Sequence, residues 1–242
     1  MKNRLITLRP AWLPCEFIRV LVVLGVGTLL LQLVLFATGF RYGWGWMPWN
    51  MFLAWLPLVF ACGVLRGAAA SNLGPRVLSW ICWPLWLLFY PNAPYLFTSL
   101  LHLNNVNFIE SESPQWVFLF TTEPSAWFSL LLMVAGVGMG LLFGFVSLAM
   151  LHRLVARRLG VLWGWLLVMV TSLLSGWAIW MGRGALRLNS WYVFTRPLHT
   201  IEQIFSAMDA NALRLSLIFA AMSLGGYLLV WALLPKETED CA

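Results

Sequence analysis

Six long apolar segments, approximately residues 18–38, 46–65, 75–103, 125–150, 161–182 and 212–234, run along the chain almost without charge. A hydrocarbon core about 30 Å thick takes roughly 20 residues of helix per crossing, and each segment is about that long, the third with an interruption. Inside lipid every backbone amide and carbonyl needs a protein partner, which a helix supplies from within its own segment. The expected fold is therefore all-α, a polytopic transmembrane bundle of about six spans. Six crossings use about 120 residues, about half of the 242 present. What remains makes short loops and no water-soluble domain of ordinary size. Only 10% of the side chains are charged, where soluble domains carry roughly a quarter. A single integral membrane domain over 1–242 follows, with a polar N-terminal segment (1–17) and a polar C-terminal tail (235–242).

Basic residues set the direction of threading. With the N-terminus inside, Lys2, Arg4, Arg9, Arg19, Arg66, Arg76, Arg153, Arg157, Arg158 and Lys236 fall on the inner side, ten in all, and Arg41, Arg183, Arg187, Arg196 and Arg214, five, fall outside. That bias is the one that orients membrane proteins, so both termini are expected in the cytosol. The run from Val20 to Thr38 is about twice the length of a signal peptide's apolar region and reads as an uncleaved first span. The formal charge of +6 does not point to nucleic acid, because the basic residues are spread one to three per loop rather than gathered in a stripe. Cys15, Cys62, Cys82 and Cys241 form neither a CxxC pair nor a Cys/His cluster, so no disulfide framework and no metal site is expected.

The third segment reads Val77 to Tyr90, then Pro91-Asn92-Ala93-Pro94-Tyr95, then Leu96 to Leu103. Fourteen residues of helix before the prolines rise about 21 Å, too little to cross alone. Two prolines three apart remove two amide donors and clash with the preceding turn, leaving carbonyls unpaired where lipid offers no partner. Asn92 can supply part of what is missing, since its amide both donates and accepts. Two outcomes are open: a proline kink sealed by its neighbours, or a discontinuous helix facing a polar cavity, the device many transporters use for their sites. Beyond the break, Thr98, Ser99 and His102 lie three or four apart and are expected to share a helical face.

The fifth span ends in Gly182-Arg183-Gly184-Ala185-Leu186-Arg187-Leu188-Asn189-Ser190-Trp191. Arg183 and Arg187 are four apart, hence on one side if the helix continues. Arginines on the outer side run against the charge bias. They could anchor the helix end at lipid phosphates, with Trp191 in the interfacial aromatic belt, or form an anion clamp, because guanidinium forks match phosphate and carboxylate. Downstream, Leu198, Ile201, Ile204, Phe205 and Met208 repeat at helical spacing, as in a short helix lying in the outer interface. The proline break and the arginine segment belong to the same side of the membrane. Asn92, Tyr95, His102, Arg183, Arg187, Asn189 and Trp191 are therefore the candidate lining of one outward-facing polar pocket. Gly136, Gly140 and Gly144 in the fourth span are four apart, a packing stripe that lets helices approach closely.

These segments together resemble a bacterial integral-membrane family, the domain of unknown function 1361 family. The likeness rests on Leu88-Phe89-Tyr90-Pro91-Asn92-Ala93-Pro94-Tyr95 with Thr98 and His102-Leu103, on the Gly-rich fourth span ending Leu151-His152-Arg153, and on Gly182-Arg183 with Leu186-Arg187-Leu188-Asn189-Ser190-Trp191. It covers roughly residues 46–230 and implies a multi-pass protein of the bacterial cytoplasmic (inner) membrane without an assigned activity. The family pattern has Asp where this chain has Ser99, Ser129 and Tyr192, so a function resting on those carboxylates is in doubt here.

The sequence holds no GxSxG elbow, no HExxH, no phosphate-binding GxxxxGK[ST] and no strand followed by GxGxxG. No cofactor is expected. Ser172 and Ser175 read as buried serines bonded to the carbonyl one turn back. The leading functional expectation is a protein in the lipid bilayer that binds an anionic lipid headgroup or small solute at the outer pocket. The alternatives are a membrane enzyme acting on a lipid- or envelope-linked phosphate, with His102 as acid/base, and a structural subunit of a membrane complex.

Overall fold

The computed structural model describes residues 15–38, 45–112, 118–183, 188 and 192–234. In chain order they form α1 (Cys15–Ala37), α2 (Met47–Ala68), α3 (Leu73–Phe89), the short α4 (Asn92–Tyr95), a 3-10 helix (Leu96–Asn105), β1 (Ile109–Glu112), β2 (Phe118–Phe120), α5 (Pro124–Leu159), α6 (Val161–Arg183), the short α7 (Tyr192–Thr195), α8 (Pro197–Ser206) and α9 (Ala210–Leu233). The architecture is an all-α membrane bundle, with one small antiparallel hairpin in which Ile109 pairs with Phe120 and Glu112 with Phe118. Five helices, α1, α2, α5, α6 and α9, are long and apolar enough to cross a membrane. The sixth apolar segment is the broken one. Its unbroken part, α3, has 17 residues, about 26 Å of helix, and it completes its path through α4 and the 3-10 helix.

The break follows from the two prolines, and its backbone is repaired locally. Ala93 N donates to the Tyr90 carbonyl at 3.1 Å and Tyr95 N to the Pro91 carbonyl at 3.0 Å. The Phe89 carbonyl takes the Asn92 side-chain amide at 2.9 Å, which is the role expected of that residue. After the break the chain winds as a ten-residue 3-10 helix.

Close helix contacts sit where the sequence places small residues. On α5 a Cβ at Gly136 would strike Met47, at Gly140 Leu96 and at Gly144 Ala93, so the glycine stripe is the surface on which α2 and the broken span pack. Gly176 lets α6 lie against the Ser216 and Ala220 backbone of α9, and Gly67 lets α2 lie against the Pro75 carbonyl of α3. Gly160, at φ 106°, ends α5 in the left-handed region that glycine enters without steric cost. The core is centred on α5, whose Phe143, Leu148, Met150 and Leu151 are fully enclosed together with Trp86, Tyr90 and Tyr227. The indole of Trp86 donates to Ser147 Oγ at 3.1 Å. Helices α1 and α9 bury only 17% of their apolar windows, so they lie at the edge, with most of their large side chains turned outward.

The helices alternate in direction, and the charge separates between the two ends. Arg153 stacks on Phe17 at the start of α1 at 5.0 Å, and Arg158 bonds the Ala68 carbonyl at the end of α2. One end thus carries Arg19, Arg66, Arg76, Arg153, Arg157 and Arg158. Among the described residues the other carries Arg183, Arg196 and Arg214 with Glu123, Glu202 and Asp209.

Candidate functional site

The broken span and the end of α6 meet. Arg183, the last residue of α6, donates through Nε to Thr98 Oγ1 at 2.5 Å and through Nη2 to Ser99 Oγ at 3.2 Å. Its guanidinium lies over the Tyr95 ring, 4.7 Å from the centroid, a cation–π geometry. Thr98 and Ser99 are buried and Arg183 is half-buried. Thr98 Oγ1 in turn donates to the Tyr95 carbonyl at 2.7 Å, which fixes the acceptor that holds Nε. The close seat of Tyr95 depends on Gly182, where a Cβ would come within 3.1 Å of the ring.

A guanidinium has five N–H donors, and two of them are used here. Both acceptors are neutral hydroxyls. Among the described residues Arg183 has no carboxylate partner. The 3-10 winding decides which hydroxyl lies in line with His102. With three residues per turn, positions i and i+3 eclipse, so Ser99 and His102 share a face while Thr98 is turned about 120° away. The expected common face of all three holds only for Ser99 and His102, because the segment is not α-helical. Arg183 reaches both hydroxyls by spanning that angle.

Beside this cluster lies a cavity of about 190 Å³, lined by Trp49 and Asn50 of α2, Pro91, Asn92 and Tyr95 of the break, Ile179 and Gly182 of α6, Leu188, and Thr200 and Ile204 of α8. Tyr95 belongs to both, with its ring under Arg183 and on the cavity wall. Of the residues singled out from sequence, Asn92, Tyr95 and Arg183 therefore come together. His102 stands apart from the cavity lining, its ring 4.9 Å from that of Trp46. Arg187, Asn189 and Trp191 lie outside the described residues. Leu188, which is not helical, donates its amide back to the Met181 carbonyl at 3.2 Å.

Asn50 and Thr200 are polar lining that the sequence reading passed over. Asn50 was visible as an amide near the start of an apolar run; its Nδ2 donates to the Trp46 carbonyl at 3.2 Å. Thr200 needs α8 to be folded over the cavity before it counts. On α8 the edge with Thr200 and Ile204 faces the cavity, while Leu198 and Ile201 are exposed, as an interfacial helix requires.

A second polar feature lies deeper. His152 Nδ1 and Tyr227 Oη are 2.5 Å apart, and the His152 ring packs edge-on to Trp165 at 4.7 Å. Among the described residues, the buried hydroxyls of Thr171, Ser172 and Ser175 have no hydrogen-bond partner. Carbonyl bonding one turn back, expected for Ser172 and Ser175, occurs at Thr28 and Ser129 instead. Among the described residues no group of three His, Cys, Asp or Glu side chains could hold a metal ion.

A family model described as protein of unknown function (DUF1361) matches residues 49–225. That stretch runs from the cavity wall on α2 through the break and the end of α6 into α9. The chain belongs to the DUF1361 family. Neither a curated protein nor a solved structure matches it. Ser99, where the resemblance drawn from sequence has Asp, is one of the two hydroxyls on Arg183, and a carboxylate there would neutralise the guanidinium. Ser129, at the second such position, donates to the Ser125 carbonyl at 2.8 Å.

Proposed function

We propose that this protein binds an anion at the Arg183 end of the bundle, either a small solute or the headgroup of an anionic lipid. The observation that carries the reading is Arg183 itself: a guanidinium clamped by two neutral hydroxyls and an aromatic face, without a carboxylate among the described residues, next to a cavity of about 190 Å³. Charge-assisted bonds from guanidinium to phosphate or carboxylate are roughly twice as strong as neutral ones, and the unused Nη donors supply them. Asn92, Asn50 and Thr200 offer the cavity's polar edges to the remainder of the ligand.

The basic end, with Arg19, Arg66, Arg76, Arg153, Arg157 and Arg158, faces the cytosol in this reading, as the charge bias of membrane proteins requires. The Arg183 site then opens outward from a bacterial inner membrane.

The test is thermal unfolding of the purified protein in detergent, titrated with inorganic phosphate and, separately, with phosphatidylglycerol. Wild type should gain more stability than Arg183→Gln with one of them, and Arg183→Gln should insert normally into the membrane. An equal gain in wild type and Arg183→Gln refutes the site. The alignment of Ser99 with His102 favours one further reading, a phosphate-processing enzyme with His102 as acid/base. Release of phosphate from a lipid-linked substrate, abolished in His102→Ala, would support it.

A further inference from the structure

At the opposite end of the bundle, the start of α3 and the ends of α2 and α5 enclose a cleft of about 330 Å³. Arg76 and Ser79 of α3 and Arg158 of α5 give it a polar side; Trp80 and Trp83 give it an aromatic wall. Arg158 is held in place by a bond from Nη2 to the Ala68 carbonyl, one of the last carbonyls of α2, where the helix dipole is negative. Ser79 Oγ donates to the Val64 carbonyl at 3.3 Å. The remaining N–H groups of Arg158, and the whole guanidinium of Arg76, have no partner among the described residues, and no carboxylate lines the cleft. Two like charges converge on one concave space, an arrangement that a shared anion stabilises.

The depth of the cleft says where the anion comes from. Gly140 of α5 packs against Leu96, just before the hydroxyls that hold Arg183, and Arg158 lies 18 residues further along the same helix, about 27 Å away. That is close to the hydrocarbon thickness of about 30 Å. The cleft thus sits at the level of the headgroups of one leaflet when the Arg183 site sits at the level of those of the other. Trp80 is 79% exposed, in the position that tryptophan takes at a membrane–water boundary.

We propose that this cleft binds the phosphate of an anionic phospholipid, with Arg76 and Arg158 on the phosphate and Trp80 and Trp83 against the glycerol and the first acyl carbons. The assignment uses the position of Arg183 and does not rest on anion binding there. Arginine is suited to it because its fork meets two phosphate oxygens at once.

The experiment follows the thermal midpoint and the bound-lipid count by native mass spectrometry, with the full chain in detergent. Phosphatidylglycerol, phosphatidylcholine and inorganic phosphate are titrated separately. Phosphatidylglycerol should raise the midpoint and remain bound, phosphatidylcholine should do neither, and Arg76→Gln with Arg158→Gln should weaken the phosphatidylglycerol response at least tenfold. All these titrations are made on Arg183→Gln, which removes any ligand held at Arg183 and should leave this bound lipid in place. Arg66 is exposed at the same end but outside the cleft, so Arg66→Gln should change the response less than twofold. Equal weakening by Arg66→Gln would mean diffuse surface charge and would overturn the cleft. A response to inorganic phosphate as large as that to phosphatidylglycerol would overturn the lipid assignment.

Discussion

Replacing Ser99 by Asp turns the proposed anion site against its ligand with a single side chain. Ser99 Oγ is 3.2 Å from Arg183 Nη2 and the residue is 1% exposed, so a carboxylate at this position pairs with the guanidinium directly. An anion on the free Nη edge would then stand roughly 6 Å from that carboxylate, and at an effective dielectric of about 20 the repulsion is about 2.8 kcal/mol. Since each 1.4 kcal/mol is tenfold in affinity, the anion should bind about 100-fold more weakly. The variant's own stability should change little, because the Coulombic gain of the new pair is offset by desolvation of the carboxylate. Ser99→Ala is the control. It keeps the charge and removes one acceptor, worth about 0.5–1.5 kcal/mol, and should cost a few-fold in affinity. The assay is calorimetric or thermal-shift titration with inorganic phosphate at fixed ionic strength, on variants first shown to be monodisperse. Binding by Ser99→Asp within threefold of wild type, or equal losses in the Asp and Ala variants, would refute the electrostatic reasoning.

Other parts of the molecule allow similar tests. Gly144→Ala should destabilise the bundle by about 1–3 kcal/mol because the new methyl meets Ala93, whereas Gly138→Ala, with open space around it, should be neutral in the same denaturation assay. Ser147→Ala leaves the buried Trp86 indole N–H without an acceptor and should cost about 1–3 kcal/mol, read from the unfolding midpoint. Tyr227→Phe removes the partner of His152 and should lower the midpoint by a similar amount, while leaving any response to phosphatidylglycerol intact. Asn92→Asp cannot donate to the Phe89 carbonyl and should destabilise the break more than Asn50→Asp disturbs α2, where the Trp46 carbonyl also receives the Asn50 backbone amide.

The spans were legible because lipid imposes length and continuity, and five of the six apolar runs became unbroken helices. The glycine stripe was legible too, since spacing alone puts Gly136, Gly140 and Gly144 on one side. The break at Pro91 and Pro94 was legible from the missing amides. Its continuation as a 3-10 helix was not, because Leu96–Asn105 has no residue that forbids α-helix; the winding is a tertiary outcome, and with it went the true facing of Thr98. Asn92, Tyr95 and Arg183 could be grouped because both segments end on one side of the bundle. The partners that hold Arg183 required coordinates, since Thr98 and Ser99 stand 85 and 84 residues from it. The His152–Tyr227 pair, 75 residues apart, was hidden for the same reason.

Ten residues at about 2.0 Å per residue make the Leu96–Asn105 segment about 20 Å long, against about 15 Å for the same residues at α-helical rise. Rewinding it would shorten this arm by about 5 Å and swing position 102 some 60° relative to position 99. The bonds that Thr98 and Ser99 accept from Arg183 are made in the longer winding.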